Sequence, residues 1–187
     1  MPTQLPLRSL LVDQLKDLAS AEQQLLEALP KMARAASADN LKQGFLDHLA
    51  ATQLHADRLA KAAKLLGETP ATKTCVAMKG LIAEGNEAIE LDAPDAVRDL
   101  ALLGAALRVE HYEIAAYTAA RGIAGALNEA GLADLLQQTL DEEHATEKQL
   151  GTMSDLVLET ATQTPSPKTK DTPRGTGKKK TTAKKKS

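Results

Sequence analysis

The sequence predicts an all-α fold: a bundle of four long amphipathic helices, with a short fifth helix carried in one connection. Three observations predict it. Hydrophobic residues make up 43% of the 187-residue chain but aromatics only 2%, so Ala and Leu must fill a core of closely approaching helices. Apolar residues recur at alternating steps of three and four over long segments, the period of a helix with one buried face. No segment shows the sustained apolar and polar alternation of a strand.

The first helix spans residues 5–36, with Leu11, Leu15, Leu18, Leu25, Leu29 and Met32 as its stripe. Pro30 lies inside it and predicts a kink, or an end and a short restart, because proline lacks an N–H and crowds the preceding turn. Ser37 and Asp39 are candidate caps for a second helix, whose stripe is Phe45, Leu49, Ala56, Leu59, Ala63 and Leu66, with Gly67 just past its end.

Residues 67–93 are too many for a simple link between helices, which takes about 2 to 8 residues. Within them VAMKGLIAEGNEAIE reads as a short helix, and a crossover of this kind lets the flanking long helices run parallel. Asp92 and Pro94 open the third long helix, over residues 95–121, before Gly122 and Gly125 weaken it; the fourth covers residues 132–159.

Beyond Glu159 the composition turns to Thr, Pro, Gly and Lys, which cannot bury enough apolar area to offset the entropy of ordering. The expected organisation is a bundle over 1–159 and a disordered tail over 160–187. The formal charge of −2 conceals an asymmetry, +8 on the tail and −10 on the body. Cys75 is the only cysteine, which excludes an intrachain disulfide and argues against a cysteine-based metal cluster; a small buried thiol is the simpler reading. The start, MPTQLPLRSLL, lacks the pattern of a signal peptide, and no run approaches about 20 apolar residues, so a soluble cytoplasmic protein without membrane contact is expected.

The chemistry sits in the apolar seams. Extending each stripe places Glu22 on the core line of the first long helix, Glu110 on that of the third and Glu143 on that of the fourth. Glu113 and Glu147 lie one turn beyond Glu110 and Glu143 on the same faces. In the second helix the core line passes through Thr52, with His48 and His55 close together on one side of it. A single seam glutamate usually snorkels to solvent, but three on three helices at compatible heights point to a shared cation. No equal supply of seam Lys or Arg exists to pair with them, and Glu with His suits iron, manganese or, less specifically, zinc. His111 and His144 lie off the seam, as outer or surface groups. Tyr112 and Tyr117 read as packing residues, Tyr117 also as a group able to exchange electrons near a metal.

The runs RVEHYEIAA at 108–116, SAEQQLLEALPKMARAA at 20–36, CVAMKGLIAEGNEAIE at 75–90 and TLDEEHATEKQL at 139–150 closely resemble the YciE/YciF family of ferritin-like proteins, over essentially residues 7–157. The resemblance implies a ferritin-like bundle with a carboxylate-bridged di-metal site, usually di-iron and of ferroxidase type, and a link to stress responses. It assigns Glu22, the EHYE pair Glu110 and Glu113, and the acidic pair Glu143 and Glu147 to the metal. The second helix departs from the pattern: family members typically read HLEET where this chain reads HLAATQLH, so Ala50 and Ala51 stand where acids are expected. Either His48 and His55 substitute for the lost carboxylate, or one metal subsite is weakened.

The leading expectation is therefore a stress protein holding two iron ions per chain, with Fe(II) and O2 or peroxide as its partners. Glu110 and Glu143 would bridge; Glu22, Glu113, Glu147 and His55 would fill terminal positions. The alternative is a metal-binding or interaction module without turnover. The tail, through Lys178, Lys179, Lys180, Lys184, Lys185 and Lys186, would contact DNA phosphates without reading sequence. A homodimer is the expected assembly.

Overall fold

The computed structural model describes residues 4–68 and 73–163, and among them every regular element is helical. They are α1 (Gln4–Ala35), α2 (Asp39–Leu65), α3 (Val76–Ile89), α4 (Asp95–Ala126) and α5 (Ala130–Gln163). The four long helices form the expected bundle, each packed on two neighbours: α1 on α2 and α4, and α5 on α2 and α4. The diagonal pair α2 and α4 is joined by the long connection, whose helix α3 covers the outside of α1 and α4. His48 faces Glu110, and seven residues further along both helices His55 and Tyr117 each meet Glu22, so α2 and α4 run parallel.

Pro30 does not end α1, which continues to Ala35. Leu25, Leu29, Met32 and Ala33 are all buried around it, and that packing overrides the lost hydrogen bond. Ser37 and Asp39 are not the caps of α2. Ala38 holds the cap position without a side-chain bond, and the missing acceptors come from across the bundle. Asp99 of α4, itself buried, accepts the Ser37 N–H at 2.8 Å and the Ala38 N–H at 2.9 Å through its two oxygens. Gly122 and Gly125 also fail to end α4, because Ala120 and Ala124 stay fully buried; the chain turns at Asn128, whose φ of 60° lies in the left-handed region that asparagine tolerates. Gly67, with φ of 69°, ends α2 as expected. Helix α5 runs to Gln163, four residues into the segment assigned to the tail, and residues 164–187, with all six candidate lysines, lie outside the described residues.

Cys75 is buried and caps α3, its sulfur accepting the Met78 N–H at 3.3 Å. Tyr112, expected simply to pack, also fixes α3 in place: its hydroxyl donates to Asp17 at 2.7 Å and lies 2.9 Å from Cys75 Sγ. None of the described helices is long and apolar enough to cross a membrane.

The core is two apolar clusters, not one. One gathers Leu25, Leu29, Phe45, Leu103, Val109 and Leu150; the other gathers Leu11, Leu18, Leu59, Tyr117, Leu136 and Leu140. On every long helix a buried acid or histidine lies at or beside the break between them: Glu22, His48 and His55, Glu110 and Glu113, and Glu143. A polar layer thus crosses the middle of the bundle.

Candidate metal centre

Each long helix contributes to that layer from its buried stripe. Glu22, Glu110, Glu113 and Glu143 are at most 1% exposed, His48 and His55 at most 5%. The donor atoms fall into two groups, each within mutual reach of one metal ion: His48, Glu110, Glu113 and Glu143, and Glu22, His55 and Glu143. Glu143 belongs to both. The expectation that Glu110 shares this role differs from the arrangement found, in which Glu110 belongs to the first group alone. His48 Nδ1 lies 3.2 Å from Glu110, and His55 Nδ1 lies 3.0 Å from Glu143 and 3.7 Å from Glu22.

These groups could hold a metal ion, and the unpartnered atoms argue that the fit is real. Both oxygens of Glu113 and of Glu143, one oxygen each of Glu22 and Glu110, His48 Nε2, His55 Nδ1 and Thr52 Oγ1 are buried without a hydrogen-bond partner among the described residues. Orphaned buried groups of this kind each cost about 1–3 kcal/mol, more when charged, and helical proteins rarely leave several together. No Lys or Arg is among the buried charged residues described, so within the layer only His48 and His55 are available to offset the four carboxylates.

The electrostatics of the metal-free layer follow. Burial raises the Glu22 carboxyl to about 8, with His55 opposing and Glu143 adding to the rise. Burial likewise raises Glu110 to about 7 against the pull of His48, and lifts Glu113 well above the usual carboxylate range with help from Glu143 and Glu22. Burial disfavours charge on His48, yet Glu110, Glu143 and Glu22 outweigh it and raise the imidazole to about 9. His55 is raised in the same way, by Glu143, Glu22 and Glu142. The layer therefore binds protons tightly, and a cation entering it would displace them.

Outer contacts orient the donors. Arg58 grips Glu142 with two bonds of 2.6 and 2.7 Å, and Glu142 accepts from His55 Nε2 at 2.8 Å. That fixes the proton on Nε2 and turns Nδ1 toward Glu22 and Glu143, the usual way a carboxylate sets a ligating histidine. The Tyr117 hydroxyl donates to Glu22 Oε1, the same oxygen that lies nearest His55 Nδ1, and Oε2 is left unpartnered. Sequence reasoning missed Arg58 and Glu142. Arg58 stands one turn after His55 and Glu142 beside Glu143, but the pairing of α2 with α5 is invisible in spacing alone.

Of the expected site residues, six meet in this layer. Glu147 does not: it is half-buried one turn further along α5, outside both groups. His111 and His144 are exposed, Ala50 is exposed and Ala51 half-buried.

The family model described as "Domain of unknown function (DUF892)" matches residues 6–163. Protein YciF of Escherichia coli (strain K12) is 43% identical over 145 residues, 77% of this chain and 86% of YciF. The chain belongs to the YciE/YciF family. The crystal structure of the E. coli stress protein YciF matches with a TM-score of 0.78 and 39% identity over 84% of this chain and 98% of that one. The protein YcfI from Rhodopseudomonas palustris matches with a TM-score of 0.75 and 39% identity, over 78% of this chain and 93% of that one. The protein XCC3681 of Xanthomonas campestris, 20% identical with a TM-score of 0.67, shares the fold. The YciE/YciF match thus spans both halves of the bundle and the polar layer between them.

Proposed function

We propose that the polar layer holds two metal ions per chain, iron by preference with manganese or zinc as alternatives, and that the protein is a ferroxidase or peroxide-consuming stress protein. The observation that carries this reading is the sharing of Glu143 by two adjacent groups of buried donors. Charge supports the number, since two divalent cations neutralise the four buried carboxylates. Glu and His together favour iron or manganese over calcium or magnesium. The similarity to the E. coli stress protein YciF supports the stress setting.

Two iron ions, if bound, would supply the redox chemistry, each Fe(II) losing one electron to become Fe(III) as O2 or peroxide is reduced; zinc in the same place would supply none. The chain's own residues do the rest. Glu110, Glu113 and His48 would hold one ion and Glu22 and His55 the other, with Glu143 within reach of both. Glu142 and Arg58 keep His55 Nδ1 free to ligate, and Tyr117 keeps Glu22 in place. The two apolar clusters above and below exclude water from the layer.

The test is metal content by plasma mass spectrometry after anaerobic Fe(II) loading and desalting, followed by aerobic Fe(II) oxidation and peroxide loss. About two iron per chain is expected, lost in the Glu110→Ala Glu143→Ala variant, with oxidation above that control. A second reading, a metal-binding module without turnover, is favoured by Ala50 and Ala51, which remove acids the family pattern places on α2. Iron uptake without oxidation or peroxide loss would select it. The basic tail would add non-specific DNA contact through Lys178 to Lys180 and Lys184 to Lys186 in either case.

A further inference from the structure

Thr52 stands apart from Thr139, Thr146 and Thr152. Thr146 and Thr152 satisfy their hydroxyls by donating to the carbonyls of Glu142 and Lys148, four residues back, at 3.1 and 3.0 Å. Thr139, the other buried threonine, accepts from Arg58 at 3.3 Å. Thr52 is 0% exposed, yet its hydroxyl makes neither kind of bond and has no partner among the described residues. A helical threonine can reach the carbonyl one turn back in one of its common rotamers, and the Thr52 hydroxyl does not take that bond.

Its place offers a reason. Thr52 follows His48 by four residues and precedes His55 by three, so it lies on the α2 face between the two donor groups. Every ionisable group of that layer is matched to a donor group or to a neighbour, and Thr52 is the remaining polar side chain without a role.

We propose that the Thr52 hydroxyl is a binding group for a small anion of the hydroperoxide type, donating one hydrogen bond to it when it enters the centre between the His48 and His55 groups. The inference rests on the metal-centre reading and adds to it a residue that touches the exogenous ligand. It is a hydrogen-bond donor to that ligand and not a metal ligand.

Azide, an unreactive anion of similar size, is the probe. The full chain and its Thr52→Val and Thr52→Ser variants are loaded anaerobically with Co(II), counted by plasma mass spectrometry, and titrated with azide while the visible Co(II) bands are followed. Valine keeps the shape and removes the donor; serine keeps the donor. The expected result is equal Co(II) content in all three, azide Kd unchanged in Thr52→Ser and weakened about tenfold or more in Thr52→Val. Melting of the metal-free proteins gives a second readout, with Thr52→Val at or above the wild-type Tm because an unpaired buried hydroxyl is gone. Unchanged azide affinity in Thr52→Val at full Co(II) content, or a Thr52→Val Tm well below wild type, would overturn the proposal and leave the metal centre standing. Failure of the wild-type chain to take up Co(II) or iron would instead overturn the centre, and this inference with it.

Discussion

Glu143 is the residue on which the centre turns, because it alone belongs to both donor groups. Glu143→Ala should therefore lower iron content below one per chain, whereas Glu22→Ala should leave about one, measured by plasma mass spectrometry. Arg58→Leu should leave the fold intact but free Glu142 and His55, weakening the second metal about 10- to 100-fold in a competition titration with a chelator. The pH dependence also belongs to these side chains. Glu22 and Glu110 are raised by burial from 4.5 to about 8 and about 7, so the folded metal-free chain holds protons that the unfolded chain releases above pH 4.5. Stability from this source falls as pH rises through that window. His48 is raised from 6.5 to about 9, so its contribution is complete below pH 6.5 and is lost as pH rises through 9. Both signs agree: the metal-free Tm should fall between pH 5 and 9. Bound metal displaces the same protons, so the Tm gain on metal addition should grow over that range. A metal-free Tm that rose with pH would contradict the buried-proton account.

At the level of elements, the fold depends on ties that join helices distant in sequence. Asp99 of α4 supplies both acceptors at the turn from α1 to α2, in place of local caps. Asp99→Ala removes the acceptor of both the Ser37 and the half-buried Ala38 N–H and should cost about 1–2 kcal/mol in metal-free urea unfolding, the scale of a lost cap. Ser37→Ala should cost much less, since its side chain provides no cap. Helix existence and stripes were legible in the sequence because burial imposes their period. Helix ends were not: Pro30, Gly122 and Gly125 carry real local penalties, and tertiary burial of Leu29, Met32, Ala120 and Ala124 outweighs them. The signal that does end α4, Asn128, is weaker than either glycine when read locally.

Across the whole molecule, metal bound in the proposed centre would stabilise the fold by linkage. With free metal at about 100 Kd the folded state gains about 2.7 kcal/mol, so a chelator should lower Tm by several degrees and re-addition should restore it. Removal of residues 164–187 should change neither metal content nor Tm, because the family match and the helices end at Gln163, and should abolish DNA retention at low salt. Retained DNA affinity in the truncated chain would assign that role to the body.

The sequence by itself determined the class of fold, the four stripes, the crossover helix and six of the residues in the polar layer. It could do so because a carboxylate or histidine on an apolar helical face conflicts with its surroundings, and that conflict is written in one helix at a time. Tertiary structure alone decided which donors share one position, that Glu143 serves both groups and Glu110 one, and that Glu147 stands outside. It also decided that Arg58 and Glu142 aim His55, and that Thr52 is left unpaired. Those facts depend on the relative height and rotation of four helices, which are set by packing between elements and leave no periodic mark in any one of them.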